Sequence, residues 1–138
     1  FQSARALNIG FEAARHELVA IISQDAVPAD NRYLEELAVP FLGANGFLLA
    51  GTYGRQAMTE GPPDPLGEKD LLTTYPPGAS RDQAWPECWF VNTCSIVRRS
   101  LWARHWFDEG AVISEDHEWA LWAQSQGYLV RYVAEAVV

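Results

Sequence analysis

The strongest constraint on the fold is a short apolar run followed closely by a carboxylate and a proline. The run 18–22 has no polar residue, which is typical of a strand buried on both faces of a sheet. Asp25 follows, and Pro28 then stops further strand pairing. Ligands of open α/β sheets bind beyond the carboxyl ends of the strands, where Asp25 would lie. Asp also commonly begins turns, so this stretch alone leaves both roles open.

Helical patterns alternate with apolar runs along the chain. We expect helices over 3–15, 30–41, 66–74, 98–106 and 115–126, and strands over 18–22, 47–53, 88–97 and 128–133. Ser114 is the expected N-cap of the last helix, whose first turn is acidic. Segment 54–87 contains six of the eight prolines, which predicts a long connection of the kind used as a mobile substrate or acceptor loop. This alternation predicts an α/β layered fold.

Composition excludes several classes of partner. A net charge of −8 argues against nucleic acid, since binding to phosphates needs a basic surface. No apolar run approaches the roughly 20 residues of a membrane span, so no transmembrane segment is expected. The spacing of Cys88 and Cys94 matches no common zinc motif, and both are expected to be reduced thiols of a cytoplasmic protein.

Several motifs, in this order, resemble an inverting family-two glycosyltransferase. They are ARALNIG at 4–10, SQDAVP at 23–28, YL at 33–34, CSIVRRSLW at 94–102, FDE at 107–109, SEDHEW at 114–119 and GY at 127–128. The SQDA and RRSLW segments look most like the bacterial rhamnosyltransferase branch. The resemblance implies a GT-A-like (Rossmann-like), mostly parallel, three-layer sheet, and a single partial catalytic domain over 1–138 that is incomplete at both ends.

The resemblance also implies an activity. The expected reaction moves a sugar, with L-rhamnose as a candidate, from a nucleoside diphosphate sugar to a saccharide or lipid-linked acceptor in bacterial surface polysaccharide synthesis. It would take place in the cytoplasm, with the inner face of the membrane as a possible place for the full-length protein. A divalent cation, Mg²⁺ or Mn²⁺, would neutralise the leaving diphosphate, and Asp25 is the carboxylate placed to hold it.

The remaining roles are assigned to residues near these motifs. By resemblance, Asp116 is the first choice for the catalytic base and Glu115 the second. Ser23 and Gln24 would position the donor. Arg5 and Asn8 are candidates for donor binding, with a solvated helix face as the alternative. Arg98 is a candidate for acceptor binding, with surface ion pairing as the alternative. Most of the six tryptophans are expected in the core, and Trp85 and Trp89, beside the long connection, are the candidates for stacking on an acceptor sugar.

Two other functions stay open. Ser23 stands where the family often has a second carboxylate, which favours a non-catalytic carbohydrate- or nucleotide-binding module with a degenerate GT-A fold. A nucleotidyltransferase would also need a metal-binding Asp after a strand. It would further need a Gly-rich phosphate loop with a basic residue, and the sequence shows none; Lys69, the one lysine, lies in the long connection.

Overall fold

The protein is an α/β domain built on one sheet. The computed structural model describes residues 3–58 and 64–138. In this part of the chain the strands are β1 (Leu18–Ile22), β2 (Leu49–Arg55), β3 (Arg81–Gln83), β4 (Cys94–Arg98) and β5 (Leu129–Val137). The helices are α1 (Ser3–Ala13), α2 (Tyr33–Ala38), α3 (Pro65–Thr74), α4 (Arg99–Trp102) and α5 (Glu115–Ser125), with 3₁₀ turns at Val39–Leu42 and Gly46–Leu48.

The sheet is mixed. Its order is β1-β4-β2-β5-β3; β2 and β5 are parallel, while the β1/β4, β2/β4 and β3/β5 pairs are antiparallel. The α/β class is confirmed, and the expected mostly parallel arrangement is corrected to a mixed one. Apolar periodicity identifies a strand but not its direction, which is why the sequence could not reveal that β3 and β4 run against the other strands.

Strand β1 has the predicted boundaries but not the predicted burial. It lies at an edge of the described sheet and pairs there with β4 alone. Ile21 is buried in the core, whereas the Ile22 side chain is 43% exposed. The prediction of a strand buried on both faces was therefore wrong. A continuous apolar run does not distinguish a central strand from an edge strand that is covered mainly on one face.

Two clusters of apolar side chains form the core. The larger contains Phe11 of α1, Trp102 of α4 and Trp119 of α5, packed against strand residues such as Tyr53 and Val97. The smaller contains residues of α2 packed against Ile96 and Val133. Because successive strand residues point to opposite faces, the neighbours Ile96 and Val97 belong to different clusters. Helices therefore flank the sheet.

The described part of the segment 54–87 contains two regular elements after the end of β2. The predicted short helix exists as α3, and β3 adds an antiparallel strand beside β5. Residues 59–63, with Pro62 and Pro63, lie outside the described residues. The sequence missed β3 because its three residues, Arg81 to Gln83, are all polar. This segment is a strand because it pairs with β5, although it has no apolar run of its own.

Both cysteines are free thiols, as predicted. Burial raises the pKa of Cys88 and of Cys94 to about 11, so neither has the thiolate character of a reactive cysteine. In the described ranges, no helix has the length and apolar character needed to cross a membrane.

Candidate functional site

The predicted strand-end residues and the acidic motif meet in one cleft. This main cleft has a volume of about 610 Å³. Its lining comes from α1, from the carboxyl end of β1, from the turn before β4 and from the start of α5: Ser3, Ala6, Leu7, Ile21, Ile22, Ser23, Gln24, Asp25, Asn92, Thr93, Glu115 and Asp116. The antiparallel β1/β4 pair explains the meeting, because the end of β1 lies opposite the beginning of β4.

Asp25 lies at the end of β1 with its carboxylate facing solvent. The backbone N–H of Ser23 donates to Thr93 O over 3.0 Å, which joins the end of β1 to the turn before β4. The Ser23 hydroxyl donates to Asp25 Oδ1 over 2.7 Å, and this hydrogen bond is the main reason that the pKa of Asp25 is lowered. Asp25 is therefore an ionised, oriented carboxylate, and Ser23 is the residue that orients it.

The acidic motif also lines the main cleft, through Glu115 and Asp116. Asp116 Oδ2 accepts a hydrogen bond of 2.9 Å from the backbone N–H of Asn92, and its Oδ1 accepts one of 2.8 Å from the backbone N–H of His117. Each carboxylate oxygen has two lone pairs, so each keeps one for a further partner. Glu115 is buried beside it. Asp116 is therefore the better placed of the two to accept a proton from a bound molecule.

The backbone before these carboxylates has an unusual conformation. Ser114 has φ 66° and ψ 30°, in the left-handed region that L side chains rarely adopt. The predicted N-cap position is right, but the Ser114 side chain makes no capping hydrogen bond. The expected capping role of Ser114 is therefore corrected. The turn that it makes brings Glu115 and Asp116 to the cleft wall.

The structure separates the two α1 candidates from the cleft lining. Asn8 is only 2% exposed. Its Nδ2 donates to Phe107 O (2.9 Å), and its Oδ1 accepts from Trp102 Nε1 (3.0 Å) and from the backbone N–H of Phe107 (3.2 Å). Arg5 is exposed on α1 and does not line the cleft. Asn8 is a buried structural residue, so the structure corrects its assignment to donor binding.

The structure places the two tryptophans proposed for acceptor binding differently. Trp89 lines a side cleft of about 390 Å³ that begins at the acidic motif and includes Trp89, Phe90, Val91, Ser114, Glu115, Asp116 and His117. Trp85 is exposed but lines none of the clefts described here. Trp89 is the acceptor candidate that the structure brings to Asp116.

Arg98 lies at the far end of β4, opposite Leu18 at the start of β1. Its guanidinium donates to Leu49 O (3.0 Å) and Gly46 O (2.9 Å). These contacts tie β4 to the first residue of β2 and to the 3₁₀ turn before it, at the end of the strands away from Asp25. The assignment of Arg98 to acceptor binding is therefore corrected to a structural one.

Of the carboxylates that line the main cleft, Asp25 is the one that would hold a cation. Among residues 3–58 and 64–138, no group of three or more His, Cys, Asp or Glu side chains is arranged to hold a metal ion. Mg²⁺ is usually bound through one or two carboxylates, with substrate phosphates and water completing its shell. Asp25 is exposed and ionised, so the residues present fit an ion held jointly by Asp25 and a diphosphate.

Asn92 and Thr93 are site residues that the sequence analysis missed. Both line the main cleft, and Asn92 orients Asp116 through its backbone N–H. They were expected inside a strand over 88–97, but β4 begins only at Cys94. A pair of polar residues just before an apolar run was the available signal, and it becomes informative only once β4 is known to run against β1.

Comparison of the chain with models of known protein families gave no match, and comparison with curated proteins gave none. The site is therefore interpreted from its geometry and the chemistry of its side chains.

Proposed function

We propose that the protein is an inverting glycosyltransferase that uses a nucleoside diphosphate sugar and a divalent cation. The observation that carries this proposal is the main cleft, whose lining includes both the strand-end carboxylate Asp25 and the carboxylate of Asp116. Asp25 and Asp116 are far apart in the sequence. A cleft of this volume lies within the range of roughly 300–1,000 Å³ typical of small-molecule sites.

The chain's own residues supply two parts of the reaction. Asp25, oriented by Ser23, would hold the cation together with the donor diphosphate, and the cation would neutralise the charge of the leaving group. Asp116 would accept the proton of the acceptor hydroxyl as the oxygen attacks the anomeric carbon. One C–O bond forms, the bond to the diphosphate breaks, and the nucleoside diphosphate leaves. A single displacement inverts the anomeric centre.

The finer parts of the proposal depend on the sequence resemblance. They are the GT-A assignment with its three layers, the transfer of L-rhamnose, the role in surface polysaccharide synthesis and the cytoplasmic location. The two free thiols support the location, since disulfides are rare in that compartment. The helices packed around the mixed sheet are compatible with the fold assignment.

The test of the transferase separates donor binding from turnover. Calorimetry with a panel of nucleoside diphosphates and nucleotide sugars, with and without Mn²⁺, should show metal-dependent binding of one nucleotide class. Asp25→Asn should remove that dependence, whereas Asp30→Asn, a change at an exposed carboxylate outside the cleft, should not. Loss of metal dependence in both variants, or in neither, would remove Asp25 from the site.

The rate of sugar transfer tests whether Asp116 is the catalytic base. Asp116→Asn should lower the rate of sugar transfer by about 10²–10⁴-fold with nucleotide affinity nearly unchanged, since removing a general base affects the chemical step. Glu118→Gln is the matched control, because Glu118 lies on the same helix but pairs with His105 and lines none of the clefts. Equal activity of Asp116→Asn and the wild type would exclude Asp116 as the base.

A second candidate is a carbohydrate- or nucleotide-binding module without turnover. The single carboxylate at the end of β1 favours it, because Ser23 contributes a hydroxyl there in place of a second anionic ligand. This module would bind the same nucleotide class in the calorimetric titration. It would release no free nucleoside diphosphate from a nucleotide sugar, with or without an acceptor.

A further inference from the structure

The main cleft does not end at Asp116. The side cleft shares Glu115 and Asp116 with it and extends to Trp89. Trp89 in turn lines an outer cleft of about 360 Å³ together with Arg81, Gln83, Glu87 and Cys88. The three clefts are therefore neighbours and are together called the groove: Asp116 borders the first and second clefts, and Trp89 borders the second and third.

Trp89 is held firmly while its ring stays accessible. Its backbone N–H donates to Gln83 Oε1 over 2.8 Å, and Gln83 Nε2 donates to the hydroxyl of the buried Tyr53 over 2.7 Å. Its indole Nε1 lies 3.4 Å from the Tyr75 hydroxyl. The side chain is nevertheless 44% exposed, with the ring of His117 edge-on at 6.5 Å. An ordered, accessible indole is a surface on which the apolar C–H face of a sugar ring can stack.

The charges along the groove define the ligand further. Glu115 and Asp116 stand at one end of the side cleft, and Glu87 lines the outer cleft, where Arg81 is the cationic residue. Carboxylates accept hydrogen bonds from hydroxyl groups and repel anions. The side and outer clefts therefore favour an uncharged, hydroxyl-rich ligand over a phosphorylated one.

On the basis of the proposed function, we propose that the acceptor is an uncharged saccharide of at least two sugar residues. Its terminal residue presents the reacting hydroxyl to Asp116 in the side cleft, and the next residue stacks on Trp89 toward the outer cleft. The position of Trp89, which borders both the side cleft and the outer cleft, selects for the second residue. Trp89 is a binding residue in this arrangement, and Asp116 is the one that touches the reacting hydroxyl.

The first experiment measures how affinity depends on acceptor length. The probe is an array of neutral linear glycans of one to four sugar residues, with phosphorylated counterparts of the same glycans, followed by calorimetry on the glycans that bind. We expect binding to rise by about tenfold, or 1.4 kcal/mol, from one residue to two. Equal binding of monosaccharides, preference for the phosphorylated forms, or no binding of any neutral glycan would overturn the proposal.

The second experiment compares two tryptophans. Trp89→Ala should lower the affinity for a disaccharide by about tenfold, which is the same 1.4 kcal/mol, and leave monosaccharide binding unchanged. Trp85→Ala is the matched control, because Trp85 is 69% exposed in the same segment between β3 and β4 but lines no part of the groove. Unchanged disaccharide affinity in Trp89→Ala would refute the role of Trp89. The length series on the wild type stays decisive even if Trp89→Ala does not fold.

Nucleotide titrations on the same protein separate the two proposals. Metal-dependent nucleotide binding without length-dependent glycan binding would refute the acceptor proposal and keep the transferase. Length-dependent glycan binding without sugar transfer would refute the transferase and keep the groove as a saccharide site.

Discussion

Substitution of Asn8 tests the structural role that the fold gives it. Asn8 joins α1 to the segment before α5, since its amide contacts Trp102 Nε1 and both backbone groups of Phe107. Trp102 and Phe107 are themselves buried. Asn8→Ala would leave three buried polar groups without these partners. Each such group costs about 1–3 kcal/mol, which gives a predicted loss of at least about 3 kcal/mol.

A loss of this size is large compared with the free energy of unfolding of a typical domain, which is about 5–15 kcal/mol. Urea unfolding followed by far-ultraviolet circular dichroism measures this loss. The backbone ellipticity reports on the whole fold, whereas tryptophan fluorescence would also change with the local environment of Trp102. Arg5→Ala, an exposed change on the same helix, should alter the free energy of unfolding by less than about 0.5 kcal/mol. A similarly small effect of Asn8→Ala would refute the hydrogen-bond argument. A ligand-binding Asn8 would instead lower nucleotide affinity and leave stability unchanged.

Two further predictions concern the start of α5 and the thiols. Ser114→Ala should lower the free energy of unfolding by less than about 0.5 kcal/mol, because Ser114 makes no capping hydrogen bond. Asp64→Ala should lower it by about 1 kcal/mol, because the Asp64 carboxylate accepts a hydrogen bond from the N–H of Gly67 at the start of α3. Equal losses in urea unfolding would contradict this difference. At pH 8 the native protein should react with iodoacetamide at least about tenfold more slowly than a free cysteine, because burial raises the pKa of Cys88 and Cys94 to about 11 and a free thiol has a pKa of about 8.5. A matching rate would show that these thiols are exposed.

The sequence by itself determined the elements whose signals are local. The apolar run 18–22 became β1 with its predicted bounds, and the Gly127 break separates α5 from β5 as expected. Asp25 was a candidate for the same reason, because it closely follows an apolar run. Glu115 and Asp116 were candidates because their motif resembles the acidic motif of a known family. Asp25, Glu115 and Asp116 were therefore candidates before the structure showed that all three line one cleft.

Only the tertiary structure decided which of these residues meet. Asn8 and Arg98 have the same polar character in the sequence as true cleft residues, but long-range hydrogen bonds to Phe107 O and Leu49 O make both structural. Conversely, Asn92 belongs to the site because β4 runs antiparallel to β1 and brings the residues before it to the carboxyl end of β1. Strand direction and burial depend on pairing between distant segments, and no local pattern contains that information.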